Sequence, residues 1–281
     1  MTHAACGRPL QGRTALVTGA TRGLGKGIAV ALAKAGAAVY FTGRTVNEFE
    51  GTPLPGSLAQ TEQAIRDAGG FGRAIRCDHT DDAQTQNAVD TVVRDRGRID
   101  ILVNNVWGGY EYYSDGTPFW EERGFWDAPA SRYDNMMAAG VRAHYMTSRF
   151  AVPHMLDAGG AIFNLSFWAA DETDKGVAYA MAKAATNQMT RAMAHELRGY
   201  GICVITVYPG LVRTESVLRA AAYFDLSNSE SPEFTGRAIC ALACDERRME
   251  KTGSIQIAAK AAREYGFTDI DGRQPAPLSH G

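Results

Sequence analysis

A short apolar run, Thr14-Ala15-Leu16-Val17, leads directly into Thr18-Gly19-Ala20-Thr21-Arg22-Gly23-Leu24-Gly25 and then into Ile28-Ala29-Val30-Ala31-Leu32. Strand, glycine-rich turn and helix in immediate succession leave few folds open. The glycines let a backbone come close to a phosphate, and the first turn of the helix offers unpaired N–H groups and a partial positive charge. The spacing, Gly-x-x-x-Gly-x-Gly, says little alone; it gains weight from residues further along the chain.

Strand candidates recur at 13–18, 37–42, 72–77, 99–103, 161–166, 202–207 and 254–258, most of them continuous apolar runs. Runs of this kind suit strands covered on both faces. Helical patterns fill the intervals near 24–35, 57–69, 81–96, 130–157, 177–200 and 234–245. Gly36 closes the first of them and Thr80-Asp81-Asp82 opens the third. Strict alternation predicts an α/β fold: one doubly wound, Rossmann-type domain with a seven-stranded parallel sheet flanked by helices. The domain is expected over 12–272, between a loose tail at 1–11 and a second at 273–281.

Net charge is −2, so no basic field points to nucleic acid or to an anionic membrane surface. No apolar run is long enough for a membrane span, and the N-terminus lacks the pattern of a signal peptide. The five cysteines, Cys6, Cys77, Cys203, Cys240 and Cys244, read as reduced packing thiols in a cytoplasmic protein. Cys240 and Cys244 lie one helical turn apart but have no histidine nearby, so no metal site is expected.

Tyr179 and Lys183 are four apart in a helical stretch, so both project from one face. An ammonium beside a phenol favours phenolate and lowers the tyrosine pKa from its usual value of about 10. Tyr179 is then a candidate proton donor or acceptor near neutral pH. Ser166 ends the strand before this helix and emerges at the same sheet edge, where its hydroxyl can bond a substrate oxygen. The stretch 106–129 is long and aromatic, and a long loop at the carboxyl edge of a parallel sheet is where ligands bind. A pocket wall and a packing or dimer contact are both open readings of it.

Together these pieces resemble the short-chain dehydrogenase/reductase superfamily. The matching residues are Thr18-Gly19-(x3)-Gly23-x-Gly25, Cys77-Asp78, Asn104-Asn105, Ser166, Tyr179-(x3)-Lys183 and Pro209-Gly210-(x3)-Thr214. The resemblance implies Tyr179 as acid/base, Lys183 as its modulator and ribose ligand, and Ser166 as the group that orients the substrate oxygen. It implies a cofactor cradle of Gly19, Thr21, Arg22, Gly23, Leu24, Gly25, Arg44, Asp78, Asn104, Asn105, Tyr179, Lys183, Pro209, Gly210, Val212 and Thr214. Within it, Asp78 is expected at the adenine amino group, Asn104 behind the adenosine ribose, and Thr214 at the carboxamide.

Two positions depart from the family pattern. Trp107 stands where Asn-Asn-Ala-Gly would place a glycine. Counting from Tyr133, Gly140 stands where the family has an asparagine that supports a helix irregularity and a proton relay. Glycine keeps the backbone carbonyl and tolerates irregular dihedrals. His144, one turn further, is a possible alternative relay, with packing the simpler reading. The segments 125–131, 140–145 and 265–273 narrow the resemblance to the subgroup around dehydrogenase/reductase SDR family member 1, which implies a carbonyl reductase with a broad apolar pocket.

Cofactor choice is read from charge. NAD-selective sites place a carboxylate at the end of the second strand. Here that position is Gly43, followed by Arg44, with Arg22 in the glycine turn. Two guanidinium groups suit a 2′-phosphate, so NADP(H) is expected over NAD(H). The partners expected are a small apolar carbonyl or alcohol and a second copy of the chain, in a homodimer or homotetramer through helices 130–157 and 177–200. A dinucleotide-binding regulator or scaffold that has lost catalysis is the alternative.

Overall fold

In the computed structural model, which describes residues 8–50, 54–109 and 124–278, seven strands form one all-parallel sheet. They are β1 (Thr14–Val17), β2 (Ala38–Gly43), β3 (Phe71–Arg76), β4 (Ile101–Asn104), β5 (Gly160–Leu165), β6 (Ile202–Tyr208) and β7 (Ile255–Ile257). Their spatial order is β3-β2-β1-β4-β5-β6-β7. The chain winds outward from β1 to β3, then returns to the other side of β1 with β4. That reversal opens a crevice beyond the carboxyl ends of β1 and β4, the place where ligands bind in open α/β sheets.

Every residue of β1, β4, β5 and β6 is buried, which is why these runs show no alternation. The edge strand β3 alternates instead. The helices are α1 (Gly23–Lys34), α2 (Leu58–Asp67), α3 (Asp82–Arg96), α4 (Ala130–Met136), α5 (Ala143–Ala151), α6 (Val177–Leu197), α7 (Glu215–Arg219), α8 (Pro232–Cys244) and α9 (Ala258–Tyr265). One core packs α1 and α8 on Val17, Phe41 and Val103; the other packs α3, α5 and α6 on Leu16, Leu102 and Ile162. Close contact of α1 with α8 needs a glycine: a Cβ on Gly27 would lie 2.3 Å from the Pro232 backbone.

The structure differs from the sequence expectation at four places. The helix expected over 130–157 is divided by a π-helical segment, Met137–Arg142, between α4 and α5. Helix α7 is a five-residue helix too short to leave a periodic pattern. Helix α9 starts directly after β7 with no side-chain cap to mark it. The tails, where described, are docked: Leu10 is buried with its N–H on the Ala35 carbonyl, and Ala276 pairs through its backbone with the Asn228 side chain. Of the aromatic loop, 110–123 lies outside the described residues.

Candidate active site

The glycine turn is shaped by two left-handed residues, Gly19 at φ +69° and Gly23 at φ +54°. Gly19 also abuts the segment after β4, since a Cβ there would lie 2.7 Å from Val106 Cα. Asn105 ties the two segments together: its Nδ2 donates to the Thr18 and Gly19 carbonyls at 3.0 and 2.8 Å. A Cβ on Gly25 would come within 2.2 Å of the Gly19 carbonyl oxygen. The crowding leaves bare backbone facing the crevice.

Beneath this turn lies a chain of buried polar groups. Thr42 Oγ1 accepts from the Gly19 N–H at 3.3 Å and meets His79 Nε2 at 2.7 Å, while His79 Nδ1 lies 3.2 Å from Thr85 Oγ1 and 3.3 Å from Thr147 Oγ1. Burial pulls the His79 pKa down to about 4, so the ring is neutral at working pH. Asn104 belongs to a second buried network: its Nδ2 donates to Ser148 Oγ and Asn164 Oδ1, and Asn164 in turn donates to Thr190. The Asn104 side chain is therefore turned into the core between β4, β5 and α6. Its amide donor is thus spent within the core.

On α6, Tyr179 and Lys183 share one face with Trp107. The Trp107 and Tyr179 rings meet edge to face at 5.4 Å, and Lys183 Nζ lies 3.7 Å from the Trp107 ring centre and 5.5 Å from that of Tyr179. Ser166, from the end of β5, donates its hydroxyl to the Lys183 carbonyl at 3.1 Å. Ser166, Tyr179 and Lys183 are thus brought together beside the turn that carries Asn105 and Val106. Burial lowers the Lys183 pKa to about 7, because the ammonium has lost its water.

His144 is packed rather than exposed to a proton path. Its Nε2 lies 3.0 Å from the Val106 carbonyl, which can only accept, so Nε2 carries the hydrogen and Nδ1 is unprotonated. Burial, and then the Lys183 charge, push its pKa down to about 3. Gly140 sits within the π-helical segment, and its φ is not in the left-handed region. The helix irregularity expected here is present, but it does not depend on a conformation special to glycine.

The groups expected around the adenosine end also have partners within the chain. Arg22 donates through Nε to the Pro55 carbonyl at 2.8 Å and through Nη2 to the Gly56 carbonyl at 2.9 Å, so it fastens the loop after β2. Burial lowers the pKa of this guanidinium, Glu215 opposes that, and Arg44 adds to it. Arg44 faces Asp78 at 3.8 Å. The Asp78 carboxyl sits below its ordinary pKa: partial burial raises it, but hydrogen bonds from the Thr80 N–H and hydroxyl, together with Arg44 and His79, outweigh that. Gly43 has no space for any side chain, since a Cβ there would lie 2.3 Å from Thr21 Cγ2.

Residues 13–222 match the short chain dehydrogenase family. The chain belongs to it. Dehydrogenase/reductase SDR family member 1 of Mus musculus is 35% identical over 280 residues, covering 94% of this chain and 85% of that one. A 7alpha-hydroxysteroid dehydrogenase of Clostridium sardiniense is 31% identical over 212 residues, covering 74% of each chain. Among solved structures, a Xanthomonas campestris protein described as a dehydrogenase superposes with a TM-score of 0.81 at 27% identity, covering 96% of this chain and 99% of that one. The chain is accordingly an oxidoreductase of the type that acts on CH–OH or carbonyl groups, in a family that binds a nicotinamide dinucleotide. The cradle fits such a group: Gly19 and Gly25 pack backbone on backbone where a Cβ would collide, and the Gly23 N–H at the start of α1 already holds an anion, the Glu215 carboxylate.

Two acidic residues at the site escaped the sequence reading. Glu215, next to Thr214 at the start of α7, accepts from the Gly23 N–H at 2.8 Å. Glu230 is buried and accepts from the Gly210 N–H at 2.9 Å, so it holds the Pro209-Gly210 turn in place. Burial pushes its pKa up to about 7. No local pattern marks either one, because each works on a segment distant in sequence. Val212 pairs with Glu230 in a one-residue bridge, and Thr214 caps α7 through its hydroxyl. No helix among the described residues is long and apolar enough to cross a membrane.

Proposed function

We propose that this chain is an NADP(H)-dependent carbonyl reductase or alcohol dehydrogenase with an apolar substrate. The observation that carries the reading is the meeting of Ser166, Tyr179 and Lys183 on one wall of the crevice, next to the glycine turn. Tyr179 delivers or takes the proton at the substrate oxygen, and Ser166 orients that oxygen by turning its hydroxyl from the Lys183 carbonyl. Lys183 holds the nicotinamide ribose and stabilises the phenolate of Tyr179. The nicotinamide ring, when bound, supplies or accepts the hydride. Pro209, Gly210, Val212 and Thr214 shape its pocket. Gly19, Thr21, Gly23, Leu24 and Gly25 hold the phosphates, with Asn105 bracing the turn, and Asp78 serves the adenine.

The cofactor preference rests on Gly43 and Arg44. Gly43 carries no carboxylate and a side chain there would collide with Thr21, so the group that would select a free 2′-hydroxyl is missing, while Arg44 follows in sequence as a cation for a phosphate. Exposed Leu218, Tyr223 and Phe224, on the segment after Thr214, support a bulky apolar substrate, a class that includes the hydroxysteroid in one relative's name. Exposed Tyr133, Tyr145, Val177 and Met181 on α4–α6 support assembly with a second copy through these helices. Free thiols at Cys77 and Cys203 suit a reducing compartment such as the cytoplasm.

NADPH oxidation against a panel of aldehydes, ketones and quinones tests the activity directly. Tyr179→Phe is expected to bind NADPH normally and to lose about 10²–10⁴ in turnover. Arg44→Ala is expected to weaken NADPH by about 1.5–3 kcal/mol and to leave NADH nearly unchanged. A Tyr179→Phe enzyme with ordinary turnover removes the acid/base assignment, and equal weakening of both cofactors removes Arg44 from phosphate recognition.

A further inference from the structure

The two departures from the family pattern touch each other. A Cβ on Gly140 would lie 2.7 Å from Trp107 Cζ3 and 2.9 Å from Cε3. Those are aromatic ring atoms packed with Met136, Ala182 and Tyr179, so the indole must shift within that cluster to give way. A side chain at 140 and an indole at 107 are mutually exclusive. The volume that an asparagine at 140 would use is filled by the indole, which comes from the segment after β4 instead of from the helix.

The indole does more than fill space. Lys183 Nζ lies 3.7 Å from its ring centre, well inside the range of about 6 Å over which an aromatic face attracts a cation. Lys183 is buried, and burial lowers its pKa. Among the described residues, the titratable groups beside it are Tyr179 on its own helix and His144 on α5, with His79 behind. Both histidines are neutral near pH 7, so neither adds a charge beside the ammonium.

We propose that Trp107 is a positioning residue for the Tyr179–Lys183 pair: its indole face holds the Lys183 ammonium in the crevice, and glycine at 140 is the clearance that this arrangement requires. The inference rests on the acid/base reading of Tyr179 and Lys183 and is tested apart from it. An attractive face favours the charged form of Lys183, against the burial that disfavours it. Removing the face while keeping the apolar volume lowers the Lys183 pKa further.

The chain has six lysines, so the Cε resonances of 13C-lysine-labelled protein can be followed individually with pH, without dinucleotide. Trp107→Leu is expected to move the Lys183 titration down by about one pH unit, and Trp107→Phe by less than half as much. The acidic limb of the kcat/KM profile should shift with it. Identical titrations in wild type, Trp107→Leu and Trp107→Phe would reduce Trp107 to packing and overturn the proposal. A second arm covers a Trp107→Leu protein that fails to fold. Gly140→Asn should lose about 10²-fold in kcat/KM by displacing the indole. The double variant Trp107→Gly, Gly140→Asn should recover most of that loss. Losses that simply add overturn the coupling. Full turnover in Tyr179→Phe would sink the acid/base reading and leave the Lys183 titration to judge this one.

Discussion

Replacing Lys183 by methionine should make the protein more stable, and the gain should depend on pH in one direction. Burial lowers the Lys183 pKa from 10.5 to about 7. The unfolded chain therefore binds the proton more tightly than the folded one. Between these values the unfolded state carries more protons, so wild-type stability rises with pH through the window. Below pH 7 the full penalty of a buried ammonium is present. It amounts to about 3.5 pKa units, or about 5 kcal/mol, and falls to about 2 kcal/mol at pH 9. The face of Trp107 offsets about 2 kcal/mol of this, so a gap near 3 kcal/mol is expected at pH 6. Lys183→Met keeps the length and volume of the stem without the charge. Urea unfolding of both proteins from pH 6 to pH 10, without dinucleotide, reads the difference. The variant should lead at low pH, and its lead should shrink as pH rises. A gap that does not change with pH, or a wild type that is the more stable at pH 6, would refute the reasoning, because either means that Lys183 is not held as a desolvated cation.

Two further outcomes are expected from contacts in the cradle. Glu215→Gln removes a negative charge from the first turn of α1, where the dinucleotide phosphates also go; it should tighten NADPH about three- to tenfold at low salt, and unchanged affinity in a fluorescence titration would show that Glu215 yields without opposing the phosphates. Gly43→Asp should cost about 1–3 kcal/mol of stability by collision with Thr21 and should not bring in NADH, whereas Gly43→Asp with Thr21→Ser clears Cγ2 and should raise the NADH to NADPH ratio of kcat/KM; equal ratios for the two variants would show that Thr21 is not the obstacle.

The fold was legible because its determinants are local. Each interior strand is covered on both faces and so reads as an unbroken apolar run, and Asp81 and Gly97 mark the ends of α3 with a side-chain cap and a left-handed residue. What escaped was set by partners far apart in sequence. Helix α9 carries its pattern in buried Ala258, Ala259, Ala261 and Ala262, and alanine stripes look the same whether buried or not. Asn104 reads as a ligand-facing polar residue, yet its partners Ser148 and Asn164 come from other elements and turn it inward. Arg22 reads as a phosphate ligand, but the carbonyls of Pro55 and Gly56 reach its guanidinium first. Trp107 and Gly140 read as two separate anomalies; only packing makes them one.

The crevice satisfies its own polar groups, and this changes what binding a cofactor means here. The Gly23 N–H has the Glu215 carboxylate, the Ser166 hydroxyl has the Lys183 carbonyl, and the Gly210 N–H has the Glu230 carboxylate. Of these, the Glu230 contact can persist, because Glu230 is buried behind the turn that it supports. The Glu215 contact cannot persist with a phosphate on the same N–H, since the donor has one hydrogen and two anions would meet there. Glu215 is the first residue of α7, and Leu218, Tyr223 and Phe224 come within the next turns. The carboxylate that meets α1 and the apolar side chains of this segment thus lie on one short stretch of chain. A phosphate at that N–H would have to compete with the Glu215 carboxylate, which is why Glu215→Gln is the variant that reads the contact.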